Sequence, residues 1–574
     1  MDPTWHPPTG PVPVVEVDPA VDPDIWTADA APEDRTPAAA GADADAASGG
    51  RRLLRANLIV ASGTMGSRAT GLVRTSLVLV LLAKSLGDAY LGANNTPNMI
   101  YELILGGILT ASLVPLFTDD LERGDGQQAT SAIISVAVLA LLAVTALGFV
   151  AGPALILLFS TGSTAALRDD YVAVGVPLAL LFAPQIFFYG LMAVWSALLN
   201  ARHRFLAAAW APVLNNLIAI ATLWYAHTLV EGKPSLADAL DDRRIIWVLG
   251  AGTTAGIATM ALSLYPALRR SGFRFRWSPD RRHPAVRRAV RLSAWTLGYV
   301  IANQVAAIVI QILAKPASGD VTRYQTAFQF FQLPHALLAV SIMVTFEPLL
   351  GRADARGDLG EYNRQLLLGF RLIALLIIPA AVGYVALPKG LDARTFEVEG
   401  ELLTRAFSIT GVIAAFAVGL PGFSTYLYAL RGFYAKKNTK IPFAINCVEN
   451  AINVALAIVF VRWWGVVGLA LAFGVAYDLA AVIAVVSLSR HSPGFDWRGL
   501  TSTWLRLLLA GGLMGGFVYG VVTLLAPASA VALVPAIAAG IVVGAVVYFA
   551  LIYVLGVPGI SDLMARLPVV KRFA

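Results

Sequence analysis

Apolar residues in this chain gather in runs of about twenty, separated by short polar or basic breaks, from residue 57 to residue 556. Fourteen runs stand out: 57–82, 89–117, 129–160, 171–199, 206–229, 245–268, 289–314, 321–350, 364–388, 402–430, 439–462, 465–489, 503–526 and 530–556. A helix rises about 1.5 Å per residue, so about 20 apolar residues cross a bilayer core of about 30 Å. Lipid offers no partner to a backbone amide, and nothing here alternates as barrel strands do. Each run is therefore predicted to be a transmembrane helix, in an all-α polytopic membrane protein.

Composition agrees. Of 574 residues, 57% are apolar and only 14% charged, with a mean hydropathy of +0.70. Soluble domains carry about 25% charge, so a soluble enzyme, a nucleic-acid binder and a secreted disulfide scaffold are excluded. The single cysteine, Cys447, excludes a disulfide framework and a cysteine-based metal site. Residues 1–50 differ: Pro, Ala and Gly dominate, and ten acidic residues face one basic one, Arg35. With no apolar period they are predicted to be a disordered acidic tail rather than a signal peptide. The tail is either a solvated extension or a docking segment for cytoplasmic cell-wall or division proteins.

The net charge of +7 has a membrane explanation. With both termini cytoplasmic, the inner segments hold about 27 Lys and Arg and the outer loops about 11, as the positive-inside rule requires. Arg269–Arg291, between spans six and seven, supplies the largest share; it reads as a topology signal and anionic-lipid anchor.

The chain also repeats itself. Ala83-Lys84 and Gly87-Asp88 after span one reappear as Ala314-Lys315 and Gly319-Asp320 after span seven. Pro115-Leu116 with Arg123-Gly124-Asp125 reappears as Pro348-Leu349 with Arg356-Gly357-Asp358. Leu198–Arg202 parallels Gly432–Lys436 more weakly. Spans 1–6 and 7–12 are thus predicted to be parallel copies of one six-helix unit, an arrangement that transporters use for alternating access around a central site. The predicted divisions are a tail (1–50), an N-lobe (51–268), a basic linker (269–288), a C-lobe (289–489), and two added helices with a short basic tail (490–574).

Few residues inside the spans carry chemistry. The first span is broken by Ser62-Gly63-Thr64-Met65-Gly66-Ser67, and the glycines are expected to let it bend beside Arg68 and Arg74. A lipid-facing arginine costs at least ~2.5–3.5 kcal/mol at mid-bilayer, so the pair is expected to face a shared cavity, where a guanidinium fork suits phosphate. Asn94, Asn95, Asn98 and Glu102 on span two, and Gln325, Gln329, Gln332 and His335 on span eight, form matching polar faces suited to a wet cavity. Glu102 and Glu347 are open between pairing with an arginine and coupling-ion duty. Asn215, Asn216, Asn446, Glu449, Asn450 and Asn453 read as hydrogen-bonding glue between helices. No catalytic or metal-binding motif is found; the acidic pairs Asp169-Asp170 and Asp241-Asp242 read as solvated loop charge. No enzyme activity and no cofactor are expected.

Ser62-Gly63-Thr64, Ser67-Arg68, Gly71–Arg74, Gly87–Tyr90, Ala93-Asn94 and Pro97-Asn98 together resemble the opening of the MurJ/MviN family. Asn200-Ala201-Arg202 with Phe205, Pro334-His335, and Arg431–Ala435 with Thr439 and Pro442 are similar to later stretches, so that the resemblance covers about residues 52–560. It implies a lipid II flippase of the multidrug/oligosaccharidyl-lipid/polysaccharide exporter superfamily, with two six-helix lobes and a lipid-tail groove at helices 13–14. It further implies that Arg68 and Arg74 serve the diphosphate, and it matches Asp88 to a family aspartate, which joins Glu347 as a candidate for coupling or pairing. Departures are Tyr101-Glu102 where many members carry an arginine pair, and Gln329 at a cavity arginine; the Tyr101-Glu102 and Pro334-His335 forms resemble a high-GC Gram-positive branch. The expected protein sits in the bacterial plasma membrane, and its partners are lipid II or a related prenyl-diphosphate glycan and membrane lipids. The alternatives are another exporter of the superfamily, either a polysaccharide-lipid flippase or a cation-coupled drug antiporter, and a non-transporting cell-wall scaffold.

Overall fold

The computed structural model describes residues 62–102, 126–202, 204–273, 275–280, 284–395, 409–525 and 530–557. The tail 1–50, span two beyond residue 102, the start of span ten and the basic end after 557 lie outside the described residues. Among those described there is no strand.

The helices are α1 (62–81), α2 (Lys84–Tyr101), α3 (Gly126–Phe159), α4 (Ala165–Phe182), α5 (Gln185–Ala201), α6 (Phe205–His227) and α7 (Arg244–Leu262). Then follow α8 (Pro284–Leu313), α9 (Asp320–Pro334), α10 (Val340–Ala355), α11 (Leu359–Thr395), α12 (Thr410–Val418), α13 (Leu420–Ala435), α14 (Lys440–Arg490), α15 (Trp497–Leu524) and α16 (Ala530–Val554). Nine helical stretches among the described residues are long and apolar enough to cross a membrane, ten if α12 and α13, bent by 44° at Gly419, count as one. This is a multi-pass membrane protein; the described residues do not establish a count of fourteen.

Several spans differ from their sequence boundaries. The 51 residues of α14 would reach about 77 Å if straight. The helix instead turns back at Gly465, whose φ of 55° suits glycine, so one helical stretch serves as spans eleven and twelve. Span eight is α9 and α10 joined by a π-helical turn at His335–Ala339 after Pro334. The fourth and tenth spans break at equivalent places, Ala183-Pro184 and Gly419.

The predicted break in span one is absent: α1 is continuously helical over 62–81. Its glycines serve close packing instead. A Cβ on Gly63 would lie 2.7 Å from the Ala209 carbonyl oxygen of α6. Nearby, Asn216 of α6 donates from Nδ2 to the Ser67 carbonyl and to Thr70 Oγ1, both at 3.0 Å.

Two lobes and an appended pair result. In the first lobe α2 packs on α3 and α4, and α7 on α4 and α6. In the second, α8 packs on α14, α12 and α13 on α14, and α10 on α11. An aromatic cluster fills that lobe: Phe331 lies 5.4 Å from Phe416, 5.2 Å from Phe423 and 5.6 Å from Phe473, ring to ring. Outside it, α15 packs along α11 and α16 along α15. The lobes meet through α2 against α9 and α3 against α8.

Candidate substrate site between the lobes

The lobes are clamped at the end that carries the α1–α2 and α8–α9 turns. Asp88 is wholly buried there. Its Oδ2 accepts the Gly319 N–H at 2.7 Å, and its Oδ1 accepts the Thr322 N–H at 2.8 Å and the Thr322 hydroxyl at 2.7 Å. A first-lobe carboxylate thus caps the opening turn of a second-lobe helix, where backbone amides have no partner of their own and the dipole favours negative charge. The approach is close because both turns carry glycine: a Cβ on Gly87 would lie 3.0 Å from Thr322 Oγ1, and one on Gly319 2.9 Å from Lys84 Cβ.

Arg68 and Arg74 are both half-buried, and the structure separates them. Arg68 Nη1 donates to Gln332 Oε1 at 3.2 Å, bridging α1 to α9 of the other lobe. Arg74 faces its own lobe, close enough to Tyr90 and Tyr189 to act on them electrostatically, and makes no hydrogen bond or ion pair to a described residue. Neither guanidinium is neutralised by a carboxylate among the described residues.

The remaining candidates fall into three groups. On α2, Asn98 is hydrogen-bonded to Tyr189, Tyr101 packs on the same ring at 6.3 Å, and the Asn94 carbonyl oxygen has no partner. Glu102 Oε2 accepts from Gln304 Nε2 of α8 at 2.5 Å. On α9, Gln325 and Gln329 line a cavity, whereas His335 turns into its own lobe: Nδ1 lies 3.0 Å from Ser424 Oγ and the ring meets Phe423 at 4.7 Å. Glu347, midway along α10, forms a half-exposed ion pair with Arg431 at 3.2 Å. Of the acidic pairs expected in loops, Asp169-Asp170 instead lies within α4 and Asp241 ends a short helix, Leu236–Asp241, while Asp242 binds Arg244 at 3.0 Å.

The cavity holds about 340 Å³ and lies between Asn95 and Met99 of α2 and the faces of α8, α9 and α14. Five of its polar lining residues, Asn303, Gln311, Glu449, Asn450 and Asn453, were not expected there. Asn303 Oδ1 accepts from Asn446 and Asn450 at 3.3 and 3.1 Å, a true interhelical tie. Glu449 and Asn453 are not ties of that kind, since neither Glu449 oxygen nor the Asn453 carbonyl oxygen has a hydrogen-bond partner. Their spacing along α14 was the available signal, and it matched that of the packing asparagines beside them.

Two helical lobes joined by a capped turn, with unneutralised arginines and an amide-lined cavity between them, define a two-lobe membrane transporter. The family model described as lipid II flippase MurJ matches residues 78–540, so the chain belongs to the MurJ family. A probable lipid II flippase MurJ of Rhizobium tropici is 28% identical over 474 residues, 81% of this chain and 86% of that protein. The lipid II flippase MurJ of Burkholderia cenocepacia is 26% identical over 459 residues, 78% of this chain and 86% of its own. The fold is similar to a solved lipid II flippase MurJ in an inward closed conformation (TM-score 0.66, 21% identity, 88% of this chain and 100% of that one). It is also similar to an inward-facing MATE-family multidrug transporter of the MOP superfamily (TM-score 0.59, 13% identity, 75% and 96%).

Proposed function

We propose that this protein flips lipid II, the undecaprenyl-diphosphate-linked peptidoglycan precursor, from the cytoplasmic to the outer leaflet by alternating access. Membership of the family carries the substrate. The single structural observation that carries the mechanism is the pair of half-buried arginines on α1, Arg68 bridging the lobes and Arg74 turned to its own lobe, neither facing a carboxylate among the described residues. A guanidinium held out of water and without a counter-charge is an anion site in waiting.

Arg74 takes the diphosphate, and Arg68, released from Gln332, joins it. The excess of basic residues in the loops near Arg202, Arg269 and Lys436 supports an orientation with both termini cytoplasmic, which puts the Asp88 clamp on the outer side. The form described is then shut outward. Opening would break three hydrogen bonds at one carboxylate, a small and local lock suited to a rocking motion. Transport needs no covalent chemistry: carrying about two negative charges outward along an inside-negative potential of 100 mV releases ~4–5 kcal/mol.

The test is depletion of the native flippase in cells expressing this protein, with leaflet-resolved measurement of lipid II. Wild type should prevent lipid II from accumulating in the inner leaflet. Accumulation despite confirmed membrane insertion would overturn the reading.

A further inference from the structure

We propose that the cavity between α2, α8, α9 and α14 is a carbohydrate pocket, in which Glu449, Asn453, Gln311 and Gln325 hold the sugar head of the transported lipid while the α1 arginines hold its diphosphate. The inference rests on the lipid II reading and adds which part of that lipid the second lobe takes.

Its wall is unusual for a membrane interior. Glu449 is 1% exposed and Asn453 5%, and three of their oxygens lack any hydrogen-bond partner. Four residues apart, they share a face of α14. Gln311 of α8 and Gln325 of α9 each present an Nε2 without a partner. Buried polar groups are normally satisfied, so this wall asks for a ligand that both donates and accepts. Tyr324, Phe328, Phe473 and Tyr477 add ring surface.

Water would meet the hydrogen bonds but leave the aromatic rings, and three other occupants meet only part of the polar demand. A bare cation would satisfy the acceptors and leave the glutamines; a phosphate would do the reverse; an acyl chain would satisfy neither. A sugar has hydroxyls that donate and accept, together with a C–H face that packs on aromatic rings. The volume of about 340 Å³ falls within the ~300–1,000 Å³ typical of small-ligand sites. Position fits as well. Gln325 lies seven residues before Gln332, the partner of Arg68, which is about 10 Å along α9. One lipid head could span both.

The experiment uses the full chain in lipid nanodiscs and two probes: undecaprenyl diphosphate, and the same lipid carrying the peptidoglycan disaccharide without peptide. Wild type should bind the disaccharide lipid at least tenfold more tightly. Glu449→Gln, nearly unchanged in shape, should cut that binding at least tenfold while leaving the sugar-free lipid within about twofold. Gln325→Ala, on another helix and half-exposed, should do the same and gives the answer if the first variant does not insert. Equal affinity of wild type for the two lipids, or equal losses for both in the variants, overturns the pocket and leaves the flippase reading standing. Binding of neither lipid by wild type overturns the flippase reading itself.

Discussion

Gly87 and Gly319 hold equivalent places in the two repeats, and each lies against the other's helix: Gly87 against Thr322 of α9, Gly319 against Lys84 of α2. The two turns are thus in contact, and Asp88, one residue on from Gly87, is the carboxylate that joins the lobes.

Asp88→Asn should loosen that joint. Three donors converge on two carboxylate oxygens, and an amide offers one acceptor and an unwanted donor. In a Cys447→Ser background with a cysteine at Ile310, a cavity position that is 7% exposed, a membrane-impermeant maleimide applied from the clamp side should react several-fold faster in the Asp88→Asn variant. An unchanged rate would show that the clamp does not hold the lobes together.

Glu347 should carry no coupling. Its pair with Arg431 is half-exposed, and such pairs contribute ~0–1 kcal/mol. Glu347→Gln should retain lipid II transport within about twofold and conserve its dependence on sodium and pH. A shift in either dependence would restore a coupling role.

Gly63→Val should cost about 1–3 kcal/mol by overpacking the α1–α6 contact, where the new side chain meets backbone. Gly351→Ala, with nothing within 4 Å of the added carbon, is the control. Thermal unfolding in detergent should show a clear drop for the first and almost none for the second.

Much of this fold was legible because a membrane span is a long, redundant signal. The repeat is legible in several motif pairs at nearly one spacing, Gly87-Asp88 with Gly319-Asp320 among them. Local breaks were harder. Glycines beside Arg68 suggested a bend, yet the same residue type also permits the closest helix contact, and only the neighbour Ala209 decides between them. The site was half-legible for a similar reason. Arg68 and Arg74 declared themselves by their cost in lipid, but that one bridges the lobes and the other does not depends on which helices they meet. Glu449 and Asn453 looked like their neighbours Asn446 and Asn450, and only the placement of α8 and α9 shows that Asn303 ties the latter two while the former two face the cavity with oxygens that have no partner.

The central claim is that Arg74 holds the diphosphate during flipping. Its most direct test is leaflet-resolved lipid II in proteoliposomes under an imposed potential. Wild type should deliver lipid II to the opposite leaflet well above protein-free vesicles, Arg74→Lys should retain part of that rate, and Arg74→Ala, equally well inserted, should fall at least tenfold. An Arg74→Ala rate equal to wild type would contradict the account.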